Sequence, residues 1–257
     1  MTGRVYLVGA GPGAPDLLTL RAARLLEQAD VVLHDALVHP ETLALAAHAK
    51  LVDVGKRSGA RSTDQRFICR FLVSAARRFQ TVVRLKGGDP MLFGRAQEEL
   101  VALRSEGIEV EVVPGITAAL AASAQLQAPL TRRGDARSVL FVTPRVGTGE
   151  KSHEWAQKSL AADTLALYMA AGDAHGTMQQ LIDAGWSRDT AVALIESASL
   201  PGSRSWRGTL AELPKLAQAL GTGPAMLLAG AALAPPVAEA RSPVAYSTTK
   251  RTVTALP

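Results

Sequence analysis

The stretch Val82-Val83-Arg84-Leu85-Lys86-Gly87-Gly88-Asp89-Pro90 carries the residues of this chain best suited to chemistry. Gly87 and Gly88 let the backbone take positive φ or lie flush against a ligand, and Pro90 fixes the exit of the chain. A carboxylate at Asp89 can accept hydrogen bonds from a ligand's hydroxyl or amine groups. The same grammar also fits a tight turn from strand to helix, with Asp89 capping the helix that follows. A second glycine loop far upstream, Gly9-Ala10-Gly11-Pro12-Gly13, weighs toward a ligand. Behind it come an expected helix, a short apolar run and then His34-Asp35. Strand, glycine loop, helix, strand and acid is the outline of a dinucleotide-binding unit, and an NAD-dependent dehydrogenase using Gly9 to Asp35 is one reading. The glycine pattern is GxGxG rather than GxGxxG, and Pro12 lacks a donor that a pyrophosphate would want. His34 and His39, five apart on a loop, are too common a pattern to argue for a metal, and no metal site is expected.

These loops need elements to position them. Apolar β-branched runs predict strands at 5–8, 31–33, 51–54, 82–85 and 109–113, separated by helices at 17–28 (capped by Asp16), 40–47, 63–78 and 94–105, with an Ala-rich helix ending near 125. On the 63–78 helix Phe67, Phe71 and Ala75 share one stripe that Ile68 and Leu72 widen, and Cys69 beside it is packing filler. Ala128-Pro129-Leu130 marks a boundary. Strands at 139–142, 165–168, 192–195, 205–207 and 225–228 follow, with helices at 155–160, 175–184 and 210–220. The fold class expected is α/β, as two domains, 1–130 and 131–234, with a disordered Ser/Thr/Ala/Pro tail at 235–257. Gly9, Asp35, Gly55, Lys86 and Pro114 all follow strand ends, as do Thr143, Met169 and Glu196. Ligands of open α/β sheets bind at that edge, so two facing edges would enclose one cleft.

Bulk properties narrow the classes. The chain has 257 residues, 47% apolar but only 4% aromatic, as in a helix-rich α/β protein with a real core. No apolar run is long enough to span a membrane. The first strand begins at once and is expected to leave no room for a signal peptide. With Cys69 the sole cysteine, no internal disulfide forms, and a reducing cytoplasm is the expected compartment. Lys50 to Arg95 holds 11 Lys and Arg against 3 Asp, which suggests an anionic partner. A polyacidic small molecule is preferred to nucleic acid, because no basic region with interleaved aromatics is present. A basic, non-catalytic binding protein is the third class considered.

The loops, taken in order, resemble the tetrapyrrole methylases. The residues that carry the resemblance are Val5 to Gly13 with Asp16-Leu17-Leu18-Thr19-Leu20, His34 to Val38, and Val54-Gly55-Lys56-Arg57. They continue in Val83 to Pro90 with Phe93-Gly94-Arg95, Val112 to Ala119, Pro129-Leu130-Thr131, Tyr168-Met169 and Gly208-Thr209-Leu210. The resemblance implies two α/β domains with the active site in the cleft between them, S-adenosyl-L-methionine as cofactor, no metal, and a homodimer. By position, the implied cofactor contacts are Pro12, Gly87, Gly88, Asp89, Leu92, Thr117, Ala118, Met169, Ala198 and Ala225. The proton acceptor and donor fall on Asp35 and Lys56. The implied reaction methylates uroporphyrinogen III at C2 and then C7, giving precorrin-2 for sirohaem or cobalamin synthesis. A methylase of a later corrin precursor is the alternative within the fold. Arg57 and Arg61, close to Lys56, would meet some of the substrate's carboxylates. At Arg132, Arg145 and Ala198 the chain departs from the family's usual residues. No second module precedes Val5, so a fused multifunctional enzyme is not expected.

Overall fold

β1 (Arg4–Gly9) lies near the middle of a parallel sheet because its side chains are apolar toward both faces: Val5, Leu7 and Val8 are fully buried. β4 (Thr81–Lys86) and β5 (Val110–Val113) flank it. β2 (Val31–His34) pairs with β4, and β3 (Lys50–Asp53) closes the edge, giving the order β3-β2-β4-β1-β5. One face is covered by α1 (Leu20–Glu27), whose Ala22 and Leu26 meet Val8, Val32, Val83 and Leu85. α3 (Gln65–Ala76) and α4 (Ala96–Ser105) cover the other, packing Leu72 and Leu103 on Val5, Leu7, Val31 and Val82. The short α2 (Pro40–Ala44) follows β2. This computed structural model describes residues 2–55, 65–147 and 154–234. The expected start of the 63–78 helix and the tail at 235–257 therefore lie outside the described residues.

The second sheet is mixed, in the order β6-β7-β10-β8-β9. β6 (Val139–Val142) runs parallel to β7 (Thr164–Leu167), whereas β10 (Ala225–Gly230) is antiparallel to both β7 and β8 (Ala191–Glu196), and β9 (Arg204–Thr209) returns antiparallel to β8. α6 (Trp155–Ser159), α7 (Ala174–Ala184) and α8 (Leu213–Ala217) pack on one face. The other face is covered by α5 (Ala118–Leu126), a helix that follows β5 in the chain. Its Ala119, Ala122 and Leu126 meet Ala166, Ala193, Ile195 and Leu228, so the first half of the chain supplies a cover for the second sheet.

Several local expectations need correction. α1 is capped by Thr19, whose Oγ1 accepts from Ala22 N at 3.2 Å; Asp16 instead sits in a 3-10 turn, Pro15–Leu17. The expected 210–220 helix opens as a 3-10 turn, and only Leu213–Ala217 is α-helical. On α3 the buried stripe is Ile68, Leu72, Ala75 and Ala76, while Phe67 is 50% exposed. The dinucleotide outline also fails. β4 lies between β1 and β2, where that unit sets its first two strands side by side, and α1 begins seven residues after Gly13 rather than at the glycine loop.

Candidate active site

Three glycine loops at the carboxyl edge of the first sheet interlock. Gly11 and Gly88 exchange backbone hydrogen bonds, Gly88 N to Gly11 O at 2.7 Å and Gly11 N to Gly88 O at 3.2 Å. A Cβ on Gly9 would stand 2.6 Å from Gly115 Cα and 2.7 Å from Gly88 O, so backbone fills that space. Asp89 joins the same assembly: Oδ1 accepts from Met91 N at 2.8 Å and Oδ2 from Gly115 N at 2.9 Å. It does not cap α4, which starts at Ala96 behind an αL Arg95. Gly87 is different. Among the described residues a Cβ there would meet only Leu37 Cβ, at 3.8 Å, so its backbone is bare beside the loop that carries Asp35.

Behind these loops lies a buried ionic chain. Asp35 Oδ1 accepts from Arg84 Nη2 at 2.5 Å. Arg84 Nε donates to Glu99 Oε1 at 3.1 Å, and Lys86 Nζ lies 3.0 and 2.9 Å from the two Glu99 oxygens. Gln65 Nε2 also donates to Glu99, at 3.1 Å. Arg84, Lys86 and Glu99 are 2%, 3% and 0% exposed. Burial, and then the neighbouring Arg84, push the Lys86 ammonium below its ordinary pKa, while Glu99 opposes that shift. The basic block read from sequence must therefore be reduced: Arg84 and Lys86 neutralise internal carboxylates and offer nothing to an external anion.

The facing edge belongs to the second sheet. β6, β7 and β8 end on it, and β10 starts there, with Ala225 opposite Glu196. Met169, Ser197 and Ser199 hold φ of 57°, 53° and 72°, and Phe93 and Arg95 do the same in the loop after Asp89. Left-handed backbone at non-glycine residues costs energy and concentrates at functional sites. Direct contacts tie the two edges. Ala14 N donates to Ser199 Oγ at 3.1 Å, and Thr117 Oγ1 lies 2.6 Å from the Tyr168 hydroxyl. The Tyr168 ring packs against Phe93, 5.0 Å between centroids, and edge-on to Phe141 at 6.2 Å. Burial raises the Tyr168 phenol above its usual pKa.

Of the residues singled out in the sequence, Pro12, Gly87, Gly88, Asp89, Leu92, Thr117 and Ala118 lie on edge loops of the first sheet or at the start of α5. Met169, Ala198 and Ala225 lie at the edge of the second. Lys56, Arg57 and Arg61 lie outside the described residues. His34 and His39 are taken up locally, His34 Nδ1 donating to Asp35 O and His39 Nδ1 accepting from Glu41 N. Among the described residues no group of three or more His, Cys, Asp or Glu could hold a metal ion. No helix among them is long and apolar enough to cross a membrane. Arg132 is held by Asp135 at 2.7 Å and by Ala231 O at 3.0 Å. A groove of about 750 Å³ between α3 and α4, lined by Cys69, Arg70 and Val101 among others, includes none of the site residues. Sequence reasoning missed the roles of Glu99 and Tyr168. The one available signal was the charged side chains of Arg84 and Lys86 alternating inside an apolar strand.

Comparison with known proteins agrees with this architecture. The chain is 46% identical over 233 residues to siroheme synthase 2 of Aeromonas hydrophila, covering 90% of this chain and 49% of that protein. It spans about half the length of the siroheme synthases it matches. It is 46% identical over 213 residues to the uroporphyrinogen-III C-methyltransferase of Pseudomonas aeruginosa, covering 83% of this chain and 86% of that one. The crystal structure of uroporphyrin-III C-methyl transferase from Thermus thermophilus, complexed with S-adenyl homocysteine, superposes with a TM-score of 0.79 at 40% identity, over 90% of this chain and 98% of that one. Residues 4–214 match the family described as Tetrapyrrole (Corrin/Porphyrin) Methylases. With both sheets falling inside or against that match, the chain belongs to the tetrapyrrole methylase family.

Proposed function

We propose that this chain methylates uroporphyrinogen III at C2 and then C7, yielding precorrin-2, with S-adenosylmethionine as methyl donor. The observation that carries this reading is the bare Gly87 backbone set beside the loop of Asp35, in a chain similar along most of its length to a methyltransferase of that substrate. The residues present fit the cofactor. Gly87 has room where a side chain would otherwise stand, and each Asp89 oxygen retains a lone pair beyond the backbone bond it accepts. Pro12, Gly87, Gly88, Asp89, Leu92, Thr117, Ala118, Met169, Ala198 and Ala225 would hold it. When bound, S-adenosylmethionine supplies an electrophilic methyl group on a sulfonium.

The chain's own residues do the rest. Positive charge is dispersed between donor and macrocycle in such a transfer, so a cleft walled by Phe93, Tyr168 and Met169 favours it by excluding water. Asp35 accepts the proton that the methylated macrocycle sheds, and Lys56 is the donor. Arg57 and Arg61 meet carboxylates of the polyacidic substrate. The protein works as a homodimer in the cytoplasm and binds neither nucleic acid nor membrane. The test is turnover with labelled S-adenosylmethionine and uroporphyrinogen III, with products resolved by mass. One and then two added methyl groups are expected. Methylation of a later corrin precursor alone would move the chain to another step. Binding of NAD without S-adenosylhomocysteine would overturn the reading.

A further inference from the structure

We propose that Arg84 is the positioning residue for Asp35: a guanidinium fixed to the sheet on three sides that holds Asp35 Oδ1 and so aims Oδ2 for proton acceptance. The proposal rests on the reading of Asp35 as proton acceptor given above.

Asp35 sits on a loop, and its side chain is 32% exposed. A loop carboxylate with one free χ1 would sample several rotamers. Arg84 removes that freedom because it has almost none itself. Its Nη1 lies 3.4 Å from Leu33 O on β2 and 3.2 Å from Leu85 O on β4, so neighbouring strands set the plane of the guanidinium. Its Nε is anchored on Glu99, which Lys86 and Gln65 hold in turn. The remaining nitrogen, Nη2, is the one that reaches Asp35. A planar donor fork supported by rigid elements is well suited to orient a carboxylate. Asp35 Oδ2 makes no hydrogen bond to the described residues, and it lies on the loop whose Leu37 borders Gly87.

Stability does not require this arrangement. A buried ion cluster is weak evidence for stability, since apolar residues of equal volume often serve as well or better. The fold buries Arg84, Lys86 and Glu99 completely but leaves the fourth member of the chain, Asp35, partly open at the glycine loops. In the step assigned to Asp35, the C–H bond of the methylated macrocycle breaks. Its electron pair stays with the ring and cancels the positive charge that methylation left there, and the proton passes to Oδ2. Arg84 exchanges no proton and touches no substrate.

The test is a double-mutant cycle on the full chain with Arg84→Lys and Asp35→Asn. Lysine keeps the buried charge count, so Glu99 stays paired, but it loses the fork that reaches Asp35. Alone, Arg84→Lys should lower kcat by about 10²-fold, the scale of a misplaced catalytic group, with S-adenosylhomocysteine affinity and the KM for uroporphyrinogen III nearly unchanged. Combined with Asp35→Asn it should cause no further loss, because Arg84 acts only through Asp35. Losses that multiply would overturn the positioning role while leaving Asp35 as the base. Near-normal turnover of Asp35→Asn alone would remove the base and this proposal with it. Should Arg84→Lys fail to fold, Glu99→Asp draws the Nε anchor back by one methylene at constant charge. It should give a smaller kcat loss that also vanishes in the Asp35→Asn background; a loss of cofactor affinity instead would count against the proposal.

Discussion

The two sheets meet edge to edge through direct contacts but are built to different plans. The parallel sheet brings fixed charge and bare backbone to its edge, with Asp35 on the Arg84–Glu99–Lys86 chain and Gly87 open beside it. The mixed sheet buries an almost wholly apolar core, and its edge is shaped by αL residues at Met169, Ser197 and Ser199. It too has a buried carboxylate, Glu196, but that group faces Arg204 and the amides of Gly221 and Gly223, so it shapes the turn leading into β10. Fixed charge therefore lies at the edge of the first sheet, and left-handed turns shape the edge of the second.

The largest effect should come from the chemical side. Asp35→Asn keeps the shape but removes the proposed base, and turnover should fall by ~10²–10⁴ while S-adenosylhomocysteine affinity stays nearly constant. A comparable kcat loss from Met169→Ala would erase the contrast. Gly9→Ala should come next, acting on stability. Its methyl would meet backbone atoms of Gly115 and Gly88, which cannot swing aside, at a cost of about 1–3 kcal/mol. That is a Tm drop of several degrees in a differential scan. Gly172→Ala on the other side, with no described residue within 4 Å, should leave Tm almost unchanged.

Tyr168→Phe breaks the link to Thr117 and should cost about 1 kcal/mol, with kcat close to normal. A loss of turnover as large as that of Asp35→Asn would place Tyr168 in the chemistry. Glu196→Gln should be the mildest. Arg204 and the two glycine amides hold the Glu196 carboxyl below its ordinary value of 4.5, so the ionised form stabilises the fold above that pH and this contribution fades as acid titrates the folded protein. The Tm gap between wild type and Glu196→Gln should be present at pH 7 and close below about 4.5; a gap that widened in acid would contradict this assignment.

Much of the fold was legible because buried parallel strands demand unbroken apolar runs, and the ordered glycine loops marked the edge. Direction was less legible: β10 reads like any other apolar strand, since the pattern reports burial and not polarity. Asp16 and Thr19 are equally good caps on paper, and Pro15 decided between them by turning the chain into a 3-10 segment first. Arg84 and Lys86 alternate with Val83 and Leu85, the signature of a half-solvated strand. Only Glu99, one carboxylate in an ordinary polar run on α4, turns that face inward. The Thr117–Tyr168 contact joins residues 51 apart, beyond the reach of any local pattern.

The interlocked glycines bear on how this site could be redesigned. Because Gly9 and Gly115 occupy each other's side-chain space, Gly88 O fills both, and Asp89 fastens two of the loops together, the three loops form one part rather than three. Exchanging a single loop for that of a relative with another substrate would bring in a backbone path its two neighbours were not shaped to receive. A graft should carry all three loops and Asp89 as a block, leaving the Tyr168 and Met169 side of the cleft as the place where residues can be varied one at a time.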